Sequence, residues 1–243
     1  MEEREIFAAL TIFPPIFVRL DGRAFHRLAE RLHLKRPFDP AFHAGMAAVC
    51  RRLLADSGTN PLFAYTFSDE ISLFYPDLPF SGRVEKIDSV TAAYAASALT
   101  LELDCRTPLS FDARIVPVTP DLAVGYLIWR QSEAWRNHIN AHCRHALMEE
   151  GMSAREAAEA LWGMPAEEMH ELMFARGVNL AKTPAWQRRG SLIYRELIEK
   201  EGYNPVTGEH VTATRSRVAV LEETPLFSTP EGEALIRSLI AGL

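Results

Sequence analysis

The stretch LFAYTFSDEISLFYPD, residues 62–77, constrains the fold of this chain more than any other. Two strand-like runs, 62–67 and 71–75, flank the polar Ser68-Asp69-Glu70. Such runs around a short polar break predict an antiparallel hairpin with acids at its tip. Upstream, residues 16–20 read as a strand, and GRAFHRLAERLHL reads as a helix with Phe25, Leu28 and Leu32 on one stripe. FDPAFHAGMAAVCRRLLADSG predicts a second helix. Asp39 is a natural N-cap, Pro40 suits the first helical position, and Gly58 follows the end. Residues 83–101 predict a helix with Val84, Ile87, Val90, Tyr94 and Leu101 near one face, and a strand follows from Ala113 to Val118. The order β-α-ββ-α-β is that of a ferredoxin-like sheet backed by helices, with the 39–57 helix as an insertion.

The second half is more helical. Leu122 to Glu150 reads as one long or broken helix. Ser153 with Glu156 forms a capping box, and Pro165 opens a short helix ending at Gly177. From Gly190 the pattern turns to strands, with Asn204-Pro205-Val206-Thr207-Gly208 as the turn between them. The expected class is therefore α+β. Residues 1–140 are expected to form the antiparallel core, and 141–243 a helical and β-hairpin elaboration packed on it as one continuous unit.

Composition narrows the function classes. The 243 residues carry a net charge of −6, which counts against a broad phosphate footprint but not against a local basic patch. No apolar run approaches the roughly 20 residues of a membrane span. The acidic start MEEREIF does not resemble a signal peptide or presequence. Cys50, Cys105 and Cys143 lie far apart with no CxxC pair, which fits a reducing cytoplasm.

The proposed topology makes the first strand and the hairpin sheet neighbours. Asp21 leaves the end of one, and Asp69 and Glu70 sit at the tip of the other. Three carboxylates meeting there repel one another unless a cation intervenes. Mg²⁺ suits them, since it takes oxygen ligands at about 2.1 Å, often one or two carboxylates plus substrate phosphates. Two such ions about 4 Å apart polarise the attacking and leaving oxygens of a phosphoryl centre. Gly22, without a side chain, lets a metal or phosphate approach the backbone. Either motif alone is equally what a plain turn looks like; their agreement on one sheet edge favours a site. Arg83 and Lys86, three apart in a helix's first turn, add a phosphate-favouring pair. Lys35-Arg36 and Arg188-Arg189-Gly190 are ordinary surface pairs singly, and triphosphate clamps if the carboxylate centre is real.

The segments FVRLDGRAFHRLAE, YTFSDEISLFY, FDARIV, YLIWRQSEAWRN and QRRGSLIY, in this order, resemble the tRNA(His) guanylyltransferase family from about Phe17 to Arg217. The resemblance implies a polymerase palm-type core and nucleotide addition to the 5′ end of tRNA, in the 3′-to-5′ direction. It makes Asp21, Asp69 and the Gly22 carbonyl ligands of two Mg²⁺ ions, with Glu70 supporting the catalytic acids. It brings Arg23, Ala24, Phe25, His26, Arg36, Ser68, Arg83 and Lys86 into nucleotide binding. It brings Arg130, Asn137, Arg188 and Arg189 to tRNA or a second triphosphate. ATP and GTP or another NTP are the implied substrates, tRNA the partner, and a cytoplasmic homotetramer the assembly. One departure stands out. Eukaryotic members continue from WRQ into a motif whose histidine helps read the histidine anticodon, and Trp135 occupies that place here. The chain therefore looks more like the bacterial and archaeal guanylyltransferase-like branch, which repairs 5′-truncated tRNAs against a template. The alternatives are strict guanylylation of tRNA(His), a palm-fold nucleotide cyclase, and a tRNA-binding protein without catalysis.

Other signals read as structural. His138, His142 and His145 share a helical face without a set of partners that completes a zinc site. Trp129 and Trp135 read as core packing, Asp112 and Arg114 as an ion pair, and Arg130-Gln131 as either a phosphate contact or a helix anchor.

Overall fold

The computed structural model describes residues 4–203, 208 and 210–242. The expected turn at 204–208 lies outside them except for Gly208. Strands β1 (Ile16–Gly22), β2 (Phe63–Phe67), β3 (Glu70–Tyr75), β4 (Phe111–Pro117), β5 (Ser191–Tyr203) and β6 (His210–Leu221) form one antiparallel sheet, ordered β4-β1-β3-β2-β5-β6. Its first four strands have the ferredoxin-like order, and the long β5–β6 hairpin extends the β2 edge.

Alternation along the strands sorts side chains to two faces. Ile16, Val18 and Leu20 of β1, with Ile71, Leu73 and Tyr75 of β3, face α2 (Pro40–Ala55) and α3 (Val84–Glu102). Phe17, Phe63, Tyr65 and Phe74 face α4 (Pro120–Glu149) and α8 (Pro230–Ala241). Phe17 stacks on Tyr126 of α4 at 4.1 Å between ring centroids, which fixes α4 across the sheet. Each such fully buried aromatic contributes about 1.5–3 kcal/mol in removal from water. A third cluster lies off the sheet. There the distal half of α4 packs on α5 (Ala154–Leu161) and α6 (Ala166–Phe174) through Ile139, Cys143, Leu161 and Met169, and the short α7 (Ala185–Arg189) leads into β5.

Local signals act as expected at most helix starts. The Asp39 carboxylate accepts from Ala41 and Phe42 N–H at 2.7 and 2.9 Å. Ser153 and Glu156 form the reciprocal capping box of α5. One expectation changes, and one left between two alternatives is decided. The first helix shrinks to α1 (Phe25–Arg31), because Ala24 adopts a left-handed conformation with φ 59° and gives no side-chain cap. The 120–149 segment is one unbroken helix of 30 residues.

Candidate active site

The hairpin tip is tighter than the three polar residues suggest. Ser68 and Asp69 alone make the turn, with Ser68 at φ 50°, the sign that a two-residue hairpin turn demands at its first position. Glu70 already belongs to β3 and lies opposite Asp21 in the ladder. Asp112 of β4 lies opposite Asp21 on the other side. Directly opposed residues share a face, so three carboxylates cross the sheet in a row on the α4 side.

Each is handled differently. Glu70 is buried and bound by the Arg130 guanidinium, which donates from Nε at 2.8 Å and from Nη2 at 2.6 Å. Burial pushes the Glu70 carboxyl above its ordinary range, and Arg130 opposes that rise. Arg130 is held in turn between aromatic rings, 4.2 Å from the Trp129 centroid and 5.4 Å from Phe67. Asp112 pairs with Arg114 at 3.3 Å, both about half exposed. Among the described residues, Asp21 and Asp69 make no ion pair. The Gly22 N–H donates to the Asp69 carbonyl at 3.1 Å, which ties the end of β1 to the hairpin tip. The Asp69 carboxyl is raised, first by burial and then by the neighbouring Asp21 charge. The Ser68 hydroxyl donates to Asp69 Oδ1 at 3.1 Å. Gly22 has no room for a side chain, because a Cβ there would stand 2.7 Å from the Phe25 ring.

Two close acids, with burial and the Asp21 charge raising the proton affinity of Asp69, form a donor set for a hard cation. No group of three or more His, Cys, Asp or Glu side chains surrounds a metal position among the described residues. A bound ion would complete its shell with backbone and phosphate oxygens, which is the habit of Mg²⁺.

The cations expected near the acids fall into two groups. Arg23, His26, Arg36, Arg83 and Lys86 are exposed. Arg83 caps the start of α3 and donates weakly to the Phe80 carbonyl at 3.4 Å, and Lys86 Nζ lies 5.1 Å from the Phe80 ring. Arg36 reaches Glu30 at 3.4 Å. The other group is anchored by the protein itself. Arg189 donates to the Thr224 carbonyl at 3.0 Å and Arg188 to the Thr183 carbonyl at 2.8 Å. Arg130 is committed to Glu70, so of the two readings of Arg130-Gln131 the structure shows the anchor. Gln131 completes it, donating to the Pro225 carbonyl at 2.9 Å and accepting from Phe227 N–H at 2.8 Å. Phe25 is buried against Phe42 and Phe111, so only its backbone faces outward contacts. Ala24 and Asn137 are exposed.

The histidine face packs against aromatic rings. His138 is fully buried, stacked between Phe38 and Trp135, and shares a hydrogen bond with Thr183 Oγ1 at 3.1 Å. Burial, with His142 beside it, drives the His138 pKa down to about 3. Arg19 was not singled out by pattern, yet it sits 5.6 Å over the half-exposed Trp129 and adds positive charge near Glu70. Its only signal was an arginine two residues before Asp21, on the same side of the strand.

Residues 1–119 match the family model described as tRNAHis guanylyltransferase, and residues 122–225 match that of the Thg1 C terminal domain. The chain belongs to the tRNA(His) guanylyltransferase family. A probable tRNA(His) guanylyltransferase of Dictyostelium discoideum is 29% identical over 227 residues, 88% of this chain and 86% of that protein. The Arabidopsis thaliana tRNA(His) guanylyltransferase 1 is 26% identical over 78% of this chain, which spans only 36% of that longer protein. A bacterial guanylyltransferase-like protein solved in complex with ATP shares the fold with a TM-score of 0.76. It is 24% identical, with 99% of this chain and 97% of that chain covered. A structure of the same description in complex with GTP gives 0.71, also at 24% identity, over 99% and 96% of the two chains. Membership makes this protein a nucleotidyltransferase of tRNA, with guanylyltransferase-like nucleotide addition as its chemistry. No helix is long and apolar enough to cross a membrane among the described residues.

Proposed function

We propose that this protein extends the 5′ end of tRNA in the 3′-to-5′ direction, directed by the opposite strand, and thereby repairs 5′-truncated tRNAs in the cytoplasm. The observation that carries this reading is the junction of Asp21 and Asp69 at the Gly22–Asp69 hydrogen bond. Trp135 favours repair over strict histidine-tRNA guanylylation. It stands in the place of the anticodon-reading histidine, and its ring is packed against His138 and His170.

The chemistry runs in two displacements. The 5′-monophosphate of the tRNA attacks the α-phosphorus of ATP; the new P–O bond forms, the α–β bridge breaks, and pyrophosphate leaves. The 3′-OH of the incoming NTP then attacks the activated 5′ phosphorus, gives up its proton, and displaces AMP. A 5′-triphosphorylated end skips the first displacement. Asp21, Asp69 and the Gly22 carbonyl would hold two Mg²⁺ ions, which when bound supply charge stabilisation at both the attacking and leaving oxygens. Ser68 holds the Asp69 carboxylate in place by its hydrogen bond. Arg83 and Lys86, exposed beside the acids in sequence order, neutralise phosphate as it transfers. Arg23, Ala24, Phe25 (by its backbone), His26 and Arg36 bind nucleotide around them. Arg188, Arg189 and Asn137 serve the second triphosphate or the tRNA. Glu70 and Arg130 act from beneath, by fixing the strand that carries the site. A homotetramer in which tRNA spans subunits belongs to the same reading, and light scattering tests it.

The deciding experiment is a 5′-end assay on a set of truncated tRNAs with single NTPs and Mg²⁺. Repair predicts addition of whichever nucleotide the opposite strand specifies. Addition of guanosine alone, and only to full-length histidine tRNA, overturns it. A cyclic nucleotide formed from ATP or GTP without tRNA overturns it in favour of a cyclase.

A further inference from the structure

The segment from Gly22 to Arg36 contradicts the overall charge of the chain. Arg23, Arg27, Arg31, Lys35 and Arg36 lie within it, and Glu30 is its one acid, in a protein of net charge −6. Arg27 and Arg31 are four residues apart on α1, about 6 Å along its axis, hence on one face. That face points to solvent. Phe25 and Leu28 fill the opposite side, with Phe25 edge-on to Phe42 and Phe111 at 6.1 and 5.1 Å between centroids. The helix is thus a short rigid platform with its cations outward.

Several exposed arginines elsewhere in this chain are paired, although Arg51 and Arg144 make no ion pair among the described residues. Arg155 meets Glu159, Arg136 meets Glu133, Arg176 meets Glu150, and Arg237 meets Asp121. Among the described residues, Arg23, Arg27, Arg31 and Lys35 make no side-chain ion pair, and all four are exposed. The one acid within the segment, Glu30, turns to Arg36, while Asp39 just beyond it accepts from the Lys35 backbone N–H at 2.8 Å and attracts its charge. Like charges four apart weaken a helix, and Arg27 stands near the helix start, where a positive charge is disfavoured. α1 also lacks a side-chain cap and an acid in its first turn. A local arrangement that opposes helix stability, in a chain with acids to spare, calls for an external anion.

We propose that Arg27, Arg31 and Lys35 form a track for the phosphodiester backbone of RNA, leading away from the Asp21 end of β1. This rests on the tRNA reading above and says where the RNA lies. The platform geometry favours an extended polyanion over a free nucleotide: its cations are spread along an open helix face and the turn after it, not gathered around one point.

The test uses the full chain with Arg27→Gln, Arg31→Gln and Lys35→Gln together. Binding of a tRNA transcript is measured over a salt series, and binding of ATP and of GTP is measured alongside. Three lost phosphate contacts should shallow the slope of log affinity against log salt by about 2–3, with tRNA bound at least about tenfold more weakly near 0.1 M salt. ATP and GTP affinities should not change, and the thermal midpoint should not fall. An unchanged tRNA slope overturns the track, as does an equal loss of ATP or GTP binding, which would assign these cations to free nucleotide. A lower thermal midpoint sends the same measurements to the single Lys35→Gln variant, outside α1, where a slope change of about 1 upholds the track and none overturns it. A wild-type chain that binds tRNA with the expected slope but adds no nucleotide to any 5′ end overturns the repair reading and leaves the track standing.

Discussion

Replacing Arg130 with Met should expose how tightly the floor of the site is held. The Glu70–Arg130 contact is bidentate, at 2.8 and 2.6 Å, and both side chains are under a tenth exposed. Removing one partner strands the other's charge in a poorly solvated place, at a cost of about 3–5 kcal/mol. For a chain of this length each kcal/mol moves the melting midpoint about 2–4 °C, so a fall of roughly 6–20 °C is expected. The pH dependence has a definite sign. Burial already raises the Glu70 carboxyl above its ordinary 4.5, and Arg130 is the group that restrains the rise. Without Arg130 the folded state binds that proton still more strongly than the unfolded chain. The deficit of the variant should therefore be largest at pH 7 and shrink as pH falls toward the carboxyl range. Urea unfolding at pH 7 and pH 5 measures both effects. A Glu70→Gln, Arg130→Met double variant, with no buried charge left, should recover most of the loss. A single variant within about 1 kcal/mol of wild type, or a deficit that does not shrink on acidification, refutes this account of the ion pair.

Four further outcomes follow from the geometry. Asp69→Ala should lower 5′-end addition by several orders of magnitude while the protein stays folded, and near-normal addition with Mg²⁺ present would remove Asp69 from the chemistry. Gly190→Ala should cost about 1–3 kcal/mol by denaturant titration, because a Cβ there meets the Thr66 carbonyl at 2.6 Å at a φ of 66°; an unchanged midpoint contradicts this. His138 is neutral in the fold with a pKa near 3, against 6.5 when unfolded, so its contribution is present above pH 6.5 and lost as pH falls toward 3. His138→Gln should flatten the stability profile across that window, and a parallel profile in circular dichroism melts would show that another group controls it. Asp39→Ala should cost about 1 kcal/mol of stability in thermal melts, since two α2 N–H groups lose their acceptor; no loss would mean that solvent replaces the cap.

The elements with strong local chemistry were legible before any coordinates. The caps at Asp39 and Ser153 and the apolar runs around Ser68-Asp69 each carry their instruction within a few residues. The ferredoxin-like order followed from the succession of strands and helices. α8 escaped, although Thr229 accepts from Gly232 N–H and Pro230 opens the helix, because a short terminal helix offers little periodicity. α1 was overextended because the segment read as helix ran from Gly22 to Leu34, across Ala24, whose left-handed backbone no pattern signals.

The site divided in the same way. The sequence by itself determined which acids could serve, Asp21, Asp69 and Glu70, since only strand ends and tight turns present carboxylates together at a sheet edge. It also carried the family's motifs. What each carboxylate does was decided by tertiary structure alone. Glu70 and Arg130 are 60 residues apart, and their pairing depends on α4 lying across the sheet, held there by the stack of Tyr126 on Phe17. The same crossing turned Arg130 from a candidate RNA contact into a buried anchor. Asp21 and Asp69 were left as neighbours, brought together by the Gly22–Asp69 backbone hydrogen bond between segments that the sequence separates by a helix insertion. Local propensity acts over a few residues, whereas desolvation and charge pairing depend on whatever chain the fold brings alongside.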